Sequence, residues 1–419
     1  MTREKLQELI GKMTLEEKAS LCSGADFWHT ESVERLGIPA MMVSDGPHGL
    51  RKQDQEADHL GVNDSIKAVC FPAGCGTAAS FNRELITGMG EVLGEECQAE
   101  GVGVILGPAV NIKRSPLCGR NFEYYSEDPM VASEMAGALI KGVQSKNVGT
   151  SIKHFAANNA ETLRINMSSD VDERALREIY LAPFEIGVKN AKPWTVMSSY
   201  NKVNGVQMAE NRELLTDILR EEWGFDGVVV SDWGGVKDRI KALEAGNDLD
   251  MPENRRNNQS IIDAVRDGIL SESVLDQSVE RILELVFKAK EQERFTDEVD
   301  FENHRNLSRK VAEESVVLLK NEKELLPITK EKYKKVAVIG AFAKEPRYQG
   351  GGCTLVNPIR ISRPYEEMEK LAGDDITLTY AKGYELKNET SDELIREAEE
   401  TARAADVAVI FAGLWVAYN

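Results

Sequence analysis

Five short apolar runs recur along the first 232 residues, each ending on or beside polar groups, with longer helical stretches between most of them. This alternation constrains the fold more than any other feature. The runs are Ala40 to Asp45, Gly103 to Gly107, Thr150 to His154, Thr195 to Ser199 and Gly227 to Asp232. Between them, the apolar spacing predicts helices over Asn82 to Glu100, Asp172 to Asn190 and Asn211 to Trp223. Strands joined by helices of that length pair in parallel, with the helices covering the sheet. Sustained over about 290 residues, the pattern is that of a (β/α)8-type, TIM-like barrel. Asp45, Lys153, His154, Tyr200 and Asp232 stand at the C-terminal ends of these strands. Barrels of this kind keep their chemistry on that face.

The opening is helical, with Leu6, Leu9, Ile10 and Met13 at i, i+3, i+4 and i+7, and Thr14 with Glu17 forms a capping-box pattern. A long amphipathic helix is expected over Ser278 to Glu293, then a polar stretch from Phe295 to Leu307, then a helix from Ser308 to Asn321. Strands at Val336 to Gly340 and Ala405 to Gly413 announce a second α/β unit. The expected division is a catalytic barrel over 1–294, a linker over 295–315 and an incomplete α/β sandwich domain over 316–419.

Composition narrows the partners. Of 419 residues, 42% are hydrophobic and 29% charged, which suits a folded globular chain. The net charge of −19 repels polyanions, so nucleic acid and anionic membranes are poor partners, whereas a neutral sugar is unaffected. The first nineteen residues lack the apolar core of a signal peptide, and no apolar run reaches the roughly 18 residues of a membrane span. Six scattered cysteines without a CxxC pair fit reduced thiols, so a cytoplasmic location is expected. The five histidines show no HExxH spacing and no Walker-type loop is present, so no metal or cofactor is expected.

In Gly227-Val228-Val229-Val230-Ser231-Asp232-Trp233, a buried strand delivers a carboxylate with an indole beside it. Retaining glycoside hydrolysis needs an ionised carboxylate close below the anomeric carbon, and an aromatic ring packs against the C–H face of a sugar. The same aspartate would also serve as a helix N-cap. Lys153 and His154 place a cation and an imidazole on one rim, where they can bind hydroxyls, although in isolation a surface lysine and a satisfied core histidine are the favoured reading. The turn Asp45-Gly46-Pro47-His48-Gly49-Leu50-Arg51 pairs a carboxylate with a guanidinium, for a sugar or for the turn itself. Arg120 and Glu123 sit in an aromatic loop with the same two readings.

Taken together, Ser44-Asp45-Gly46-Pro47-His48-Gly49, Gly119-Arg120-Asn121-Phe122-Glu123, Lys153-His154, Asp172 to Glu178 and Ser231-Asp232-Trp233 resemble glycoside hydrolase family 3. The resemblance implies a retaining β-glucosidase. It places the nucleophile at Asp232 and the flanking aromatic at Trp233. It assigns Asp45, Arg51, Arg120, Lys153, His154, Arg164, Met197 and Tyr200 to the pocket for the nonreducing-end sugar. Asp45 suggests a glucoside, where xylosidase-like members often carry Glu. Gln349 to Thr354 resembles a loop reaching over the barrel mouth, with Cys353 and Thr354 where many relatives have serines. No second histidine follows His154 within His154 to Glu161, which argues against the hexosaminidase-like branch. The acid/base glutamate of glucosidase-like members is expected beyond residue 419, in a companion segment or chain completing the second domain. The alternatives are a β-xylosidase or other exo-acting pyranosidase, or a non-catalytic sugar-binding fragment.

Overall fold

The computed structural model describes residues 1–54, 57–58, 62–291, 298–387 and 389–413. It divides into one unit of Met1–Val316 with Gly350–Pro358, and another of Val317–Gln349 with Ile359–Asn419.

In the first unit, strands β1 (Met42–Asp45), β2 (Val102–Leu106), β3 (Gly149–Phe155), β4 (Thr195–Ser198) and β5 (Val228–Ser231) pair in parallel in chain order. Every residue of β3, β4 and β5 is buried; β5 reads as a continuous apolar run, whereas β3 holds Thr150, Ser151, Lys153 and His154 inside. Single bridges close the circuit. Leu249 bridges Val230 and Asp250 bridges Ser23, both in parallel, while Gly24 bridges Thr30 and His29 bridges Met42, both antiparallel.

These bridges add three irregular staves to the five regular strands. The stave at His29 and Thr30 runs opposite to both its neighbours, a departure from the regular (β/α)8 pattern. The reason is chain length. A parallel crossover needs about a dozen residues or more, and the link from Gly24 to Thr30 can only turn back on itself.

The outer helices follow the spacing closely where they are regular. Helix α1 (Arg3–Lys12) buries Leu6 and Ile10, and α2 (Leu15–Leu21) begins at the Thr14–Glu17 capping box. Helices α3 (Arg83–Ala99) and α4 (Pro129–Ser145) approach each other through glycines. A Cβ on Gly142 would lie 2.1 Å from the Thr87 carbonyl oxygen, and one on Gly90 2.5 Å from that of Leu139. The helix expected over Asp172 to Asn190 is broken into a short α-turn, a π-helical stretch at Leu176–Leu181 and an α-helix at Ala182–Ala191. The one expected over Asn211 to Trp223 is π-helical at Glu213–Glu222. The long helix α5 spans Glu272–Glu291, beginning before the expected start.

The expected linker differs from the structure. Residues 292–297 lie outside the described ones, but the polar stretch that follows forms helix α6 (Phe301–Glu314), within the first unit, where a helix over Ser308 to Asn321 was expected. Its buried residue His304 lies between two carboxylates of α3, with Nδ1 3.0 Å from Glu96 Oε1 and Nε2 3.0 Å from Glu95 Oε2. A polar sequence thus docks as a helix because its histidine finds charged partners more than 200 residues earlier.

The second unit holds a parallel three-stranded sheet in the order β7 (Thr377–Ala381), β6 (Lys335–Ile339), β8 (Val407–Ile410). Its small core gathers around Val336, Val338 and Ala343.

Candidate active site

The ends of β1, β3, β4 and β5 converge on one charged cluster. The turn after β1 is closed by the Arg51 backbone N–H donating to the Asp45 carbonyl at 3.0 Å and the Ser44 hydroxyl donating to the Arg51 carbonyl at 3.0 Å. Gly46 makes that turn possible: its φ is +140°, and a Cβ there would lie 2.4 Å from the Gly49 carbonyl oxygen. The turn buries Asp45 with its Oδ2 3.6 Å from Arg51 Nη1 and its Oδ1 3.8 Å from Lys153 Nζ. Burial outweighs both cations and pushes the Asp45 carboxyl up to about 6. The Arg51 guanidinium is held in turn by the Asp58 carbonyl at 3.0 Å.

Glu123 is the hub of the cluster and is 3% exposed. Its Oε2 accepts from Arg120 Nε at 2.9 Å and Nη2 at 2.7 Å, and its Oε1 stands 3.6 Å from Lys153 Nζ. Burial works to raise its pKa, but Arg120 and Lys153 prevail and hold the carboxyl below the usual range. Lys153 answers in kind. Burial opposes its charge, yet neighbouring groups, Glu123 and Asp45 among them, keep the ammonium above its ordinary value. Arg120 Nη2 reaches on to His154 Nε2 at 2.9 Å, and that nitrogen is 3.9 Å from Asp232 Oδ2. Burial and the cations Arg120, Lys153 and Arg164 push the His154 pKa well below its ordinary value, so the ring is neutral.

Asp232 follows β5 directly. Its backbone N–H donates to the Ser198 carbonyl at 3.0 Å, which fixes it against the end of β4. Its Oδ1 accepts from the Trp233 backbone N–H at 2.9 Å, while Oδ2 makes no hydrogen bond to the described residues and faces the cluster. The helix-cap alternative is answered by the structure, because the next helix, Arg239–Ala245, is capped by Asp238. Tyr200 donates its hydroxyl to the Trp233 carbonyl at 3.0 Å, and the Arg164 guanidinium lies 4.6 Å from the Tyr200 ring centre. Burial first, and Asp232 next, push the Tyr200 phenol pKa up. Met197, in β4, is buried in the apolar cluster that also holds Trp233.

The charged and polar residues singled out in the sequence therefore lie on one rim, linked by the contacts above, while Met197 is related to them through the apolar cluster it shares with Trp233. Sequence reasoning missed Phe27, Trp28 and Asn111. Trp233 donates Nε1–H to the Phe27 carbonyl at 2.8 Å and packs 5.5 Å from Trp28, so the reversed stave supplies the aromatic wall. Asn111 grips His154 from behind. Glu123 was visible as part of a motif but without its role as hub. Residues Gly350–Pro358 belong to the same unit: Asn357 and Pro358 pair with Lys67 and Ala68, and Cys353 Sγ lies 3.7 Å from Arg120 Nη2. Burial pushes the Cys353 thiol up to about 12, so it is protonated at neutral pH.

Residues 7–285 match the family described as "Glycosyl hydrolase family 3 N terminal domain", and residues 316–418 match "Glycosyl hydrolase family 3 C-terminal domain". The chain belongs to glycosyl hydrolase family 3. Within the family it is similar to Thermostable beta-glucosidase B of Acetivibrio thermocellus, 54% identical over 411 residues, covering 98% of this chain and 54% of the relative. It is also similar to an Exo-alpha-(1->6)-L-arabinopyranosidase of Bifidobacterium longum, 47% identical over 415 residues, covering 97% of this chain and 54% of the relative. Among solved structures, the family 3 beta-glucosidase of Bifidobacterium adolescentis superposes with a TM-score of 0.88 at 46% identity, covering 97% of this chain and 58% of that one. The chain spans about half the length of the curated relatives it matches.

Proposed function

We propose that this family 3 chain carries the sugar-binding and nucleophilic half of a retaining β-glucosidase, with Asp232 as the nucleophile. The observation that carries the reading is Asp232 Oδ2, buried, without a hydrogen bond to the described residues, and aimed at a rim that holds His154, Lys153 and Asp45. Asp45, Arg51, Arg120, Lys153, Arg164 and Tyr200 offer donors and acceptors for the hydroxyls of a neutral pyranose, His154 lines the same rim, and Trp233 offers its apolar face. Asp232 attacks the anomeric carbon as the glycosidic oxygen leaves with a proton. Water then cleaves the glycosyl ester, so the configuration is retained.

The acid/base in this reading is a glutamate outside these 419 residues. Glu123 is unsuited to the task, being held ionised by Arg120 and Lys153. In the same reading a companion segment or chain covers the second unit, and the exposure of Leu371 (89%) and Ile410 (66%) there supports it. Cys22, Cys75, Cys97, Cys118 and Cys353 form no disulfide, which fits action in a reducing cytoplasm.

The test compares leaving groups. General acid help is worth about 10²- to 10⁴-fold for a poor leaving group. This chain alone should hydrolyse a dinitrophenyl β-glucoside and leave cellobiose nearly untouched. Equal rates on both would place an acid within the 419 residues, and no release from either would favour a sugar-binding role. The similarity to the arabinopyranosidase supports a second substrate, so a dinitrophenyl α-L-arabinopyranoside belongs beside the glucoside and xyloside in that assay.

A further inference from the structure

His154 faces the nucleophile, so which of its nitrogens carries the proton matters, and the contacts around it admit one answer. The orientation of Asn111 is fixed first. Its Oδ1 receives the His154 backbone N–H at 2.9 Å, and its Nδ2 donates to the His154 carbonyl at 2.9 Å. A backbone N–H only donates and a carbonyl only accepts, so the side-chain amide cannot be turned over. The same Oδ1 lies 3.2 Å from His154 Nδ1. An amide oxygen only accepts, so Nδ1 bears the proton. On the other side, Arg120 Nη2 lies 2.9 Å from Nε2. A guanidinium only donates, so Nε2 carries a lone pair.

We propose that Asn111 is a positioning residue, which keeps the one proton of the neutral His154 ring on Nδ1 so that no N–H is offered to Asp232. The consequence is chemical and rests on the hydrolase reading above. Asp232 Oδ2 stands 3.9 Å from Nε2. A proton on that nitrogen would hydrogen-bond the carboxylate as the substrate approaches and tie up the lone pair that must attack carbon. It would also point at Arg120, donor against donor. The cations facing the ring reinforce the neutral form: Arg120 from the loop before α4, Lys153 from β3, and Arg164 from the loop after it, while the Asp232 carboxylate opposes them and the Tyr124 ring packs 6.3 Å away. Asn111 itself is 2% exposed and 43 residues distant in sequence, so it acts only through His154.

The experiment reads the tautomer directly. ¹⁵N NMR of the histidine-labelled chain, with His154 identified by its loss in His154→Gln, should show a protonated Nδ1 and a bare Nε2 from pH 5 to 8. A protonated Nε2 overturns the proposal without any variant at Asn111. In Asn111→Asp, a carboxylate faces Nδ1 and should let the ring take a second proton within that range. Its kcat on a dinitrophenyl glucoside should then fall by about tenfold at the acid end and recover as pH rises, with KM moving less than about threefold. A variant with unchanged ¹⁵N shifts and an unchanged pH profile would overturn the role of Asn111. Should the unmodified chain not turn over that substrate, the hydrolase reading fails while the tautomer is still read.

Discussion

Replacing Glu123 with glutamine isolates the charge of the hub while keeping its shape. In the parent protein its carboxylate accepts two charge-assisted hydrogen bonds from Arg120, at 2.9 and 2.7 Å, and stands 3.6 Å from the Lys153 ammonium. Hydrogen bonds to charged groups contribute about 1.5–3 kcal/mol each, against about 0.5–1.5 for neutral ones. The amide oxygen can serve Arg120 or face Lys153, and either choice turns an NH₂ toward a cation. Lys153, with its side chain 2% exposed, then has Asp45 at 3.8 Å as its closest carboxylate. The expected loss is about 2–4 kcal/mol, or roughly 3–6 °C in Tm for a unit of this size. Because the proposed sugar pocket includes both Arg120 and Lys153, kcat/KM on a dinitrophenyl glucoside should fall by about 10- to 100-fold. Glu161→Gln is the control. That carboxylate pairs with Arg164 at 2.9 Å, but the two side chains are 21% and 36% exposed, so the pair is worth at most about 1 kcal/mol. Calorimetry and initial rates on the two variants decide the matter. If Glu123→Gln melts within about 2 °C of the parent and hydrolyses at its rate, the reading of Glu123 as hub is wrong.

Two further outcomes follow from packing and charge. His304→Gln should cost about 2–4 kcal/mol at pH 6, because it strips the buried Glu96 of its charged partner. Glu96 and Glu95 hold the His304 pKa up against its burial, so this contribution is full below the unfolded value near 6.5 and is lost as pH rises through the folded one; the Tm gap between parent and variant should therefore narrow from pH 6 to pH 9. Gly142→Ala should lower Tm by several degrees, since its Cβ would lie 2.1 Å from the Thr87 carbonyl oxygen and α3 and α4 would have to part, whereas Gly11→Ala, with nothing within 4 Å, should not.

The five regular strands were legible because burial on both faces demands unbroken apolar runs, as in Val228 to Val230. The staves at Ser23, His29 and Leu249 were not, because each touches its neighbour through single bridges and carries no apolar run of its own. Helix α6 was hidden for a different reason. Of its two buried residues, Val311 and His304, the histidine reads as polar until Glu95 and Glu96 are seen against it. The pocket residues at strand ends were readable one by one, since a polar group closing a buried strand stands out. What joins them was not. Asn111 reaches His154 across 43 residues and Glu123 reaches Lys153 across a loop, and neither distance leaves a periodic trace. Phe27 and Trp28 lie outside every motif and periodic run noted in the sequence, and it is the reversed stave that brings them to Trp233.

The account stands on Asp232 forming a bond to a sugar carbon. Incubation with a dinitrophenyl 2-deoxy-2-fluoro-β-glucoside, followed by peptide mapping, tests that bond directly. One fluorosugar should be found on the peptide containing Asp232, and none in Asp232→Asn. Attachment to Asp45 or Glu123 instead, or steady release of the phenol with no trapped sugar at position 232, would contradict it.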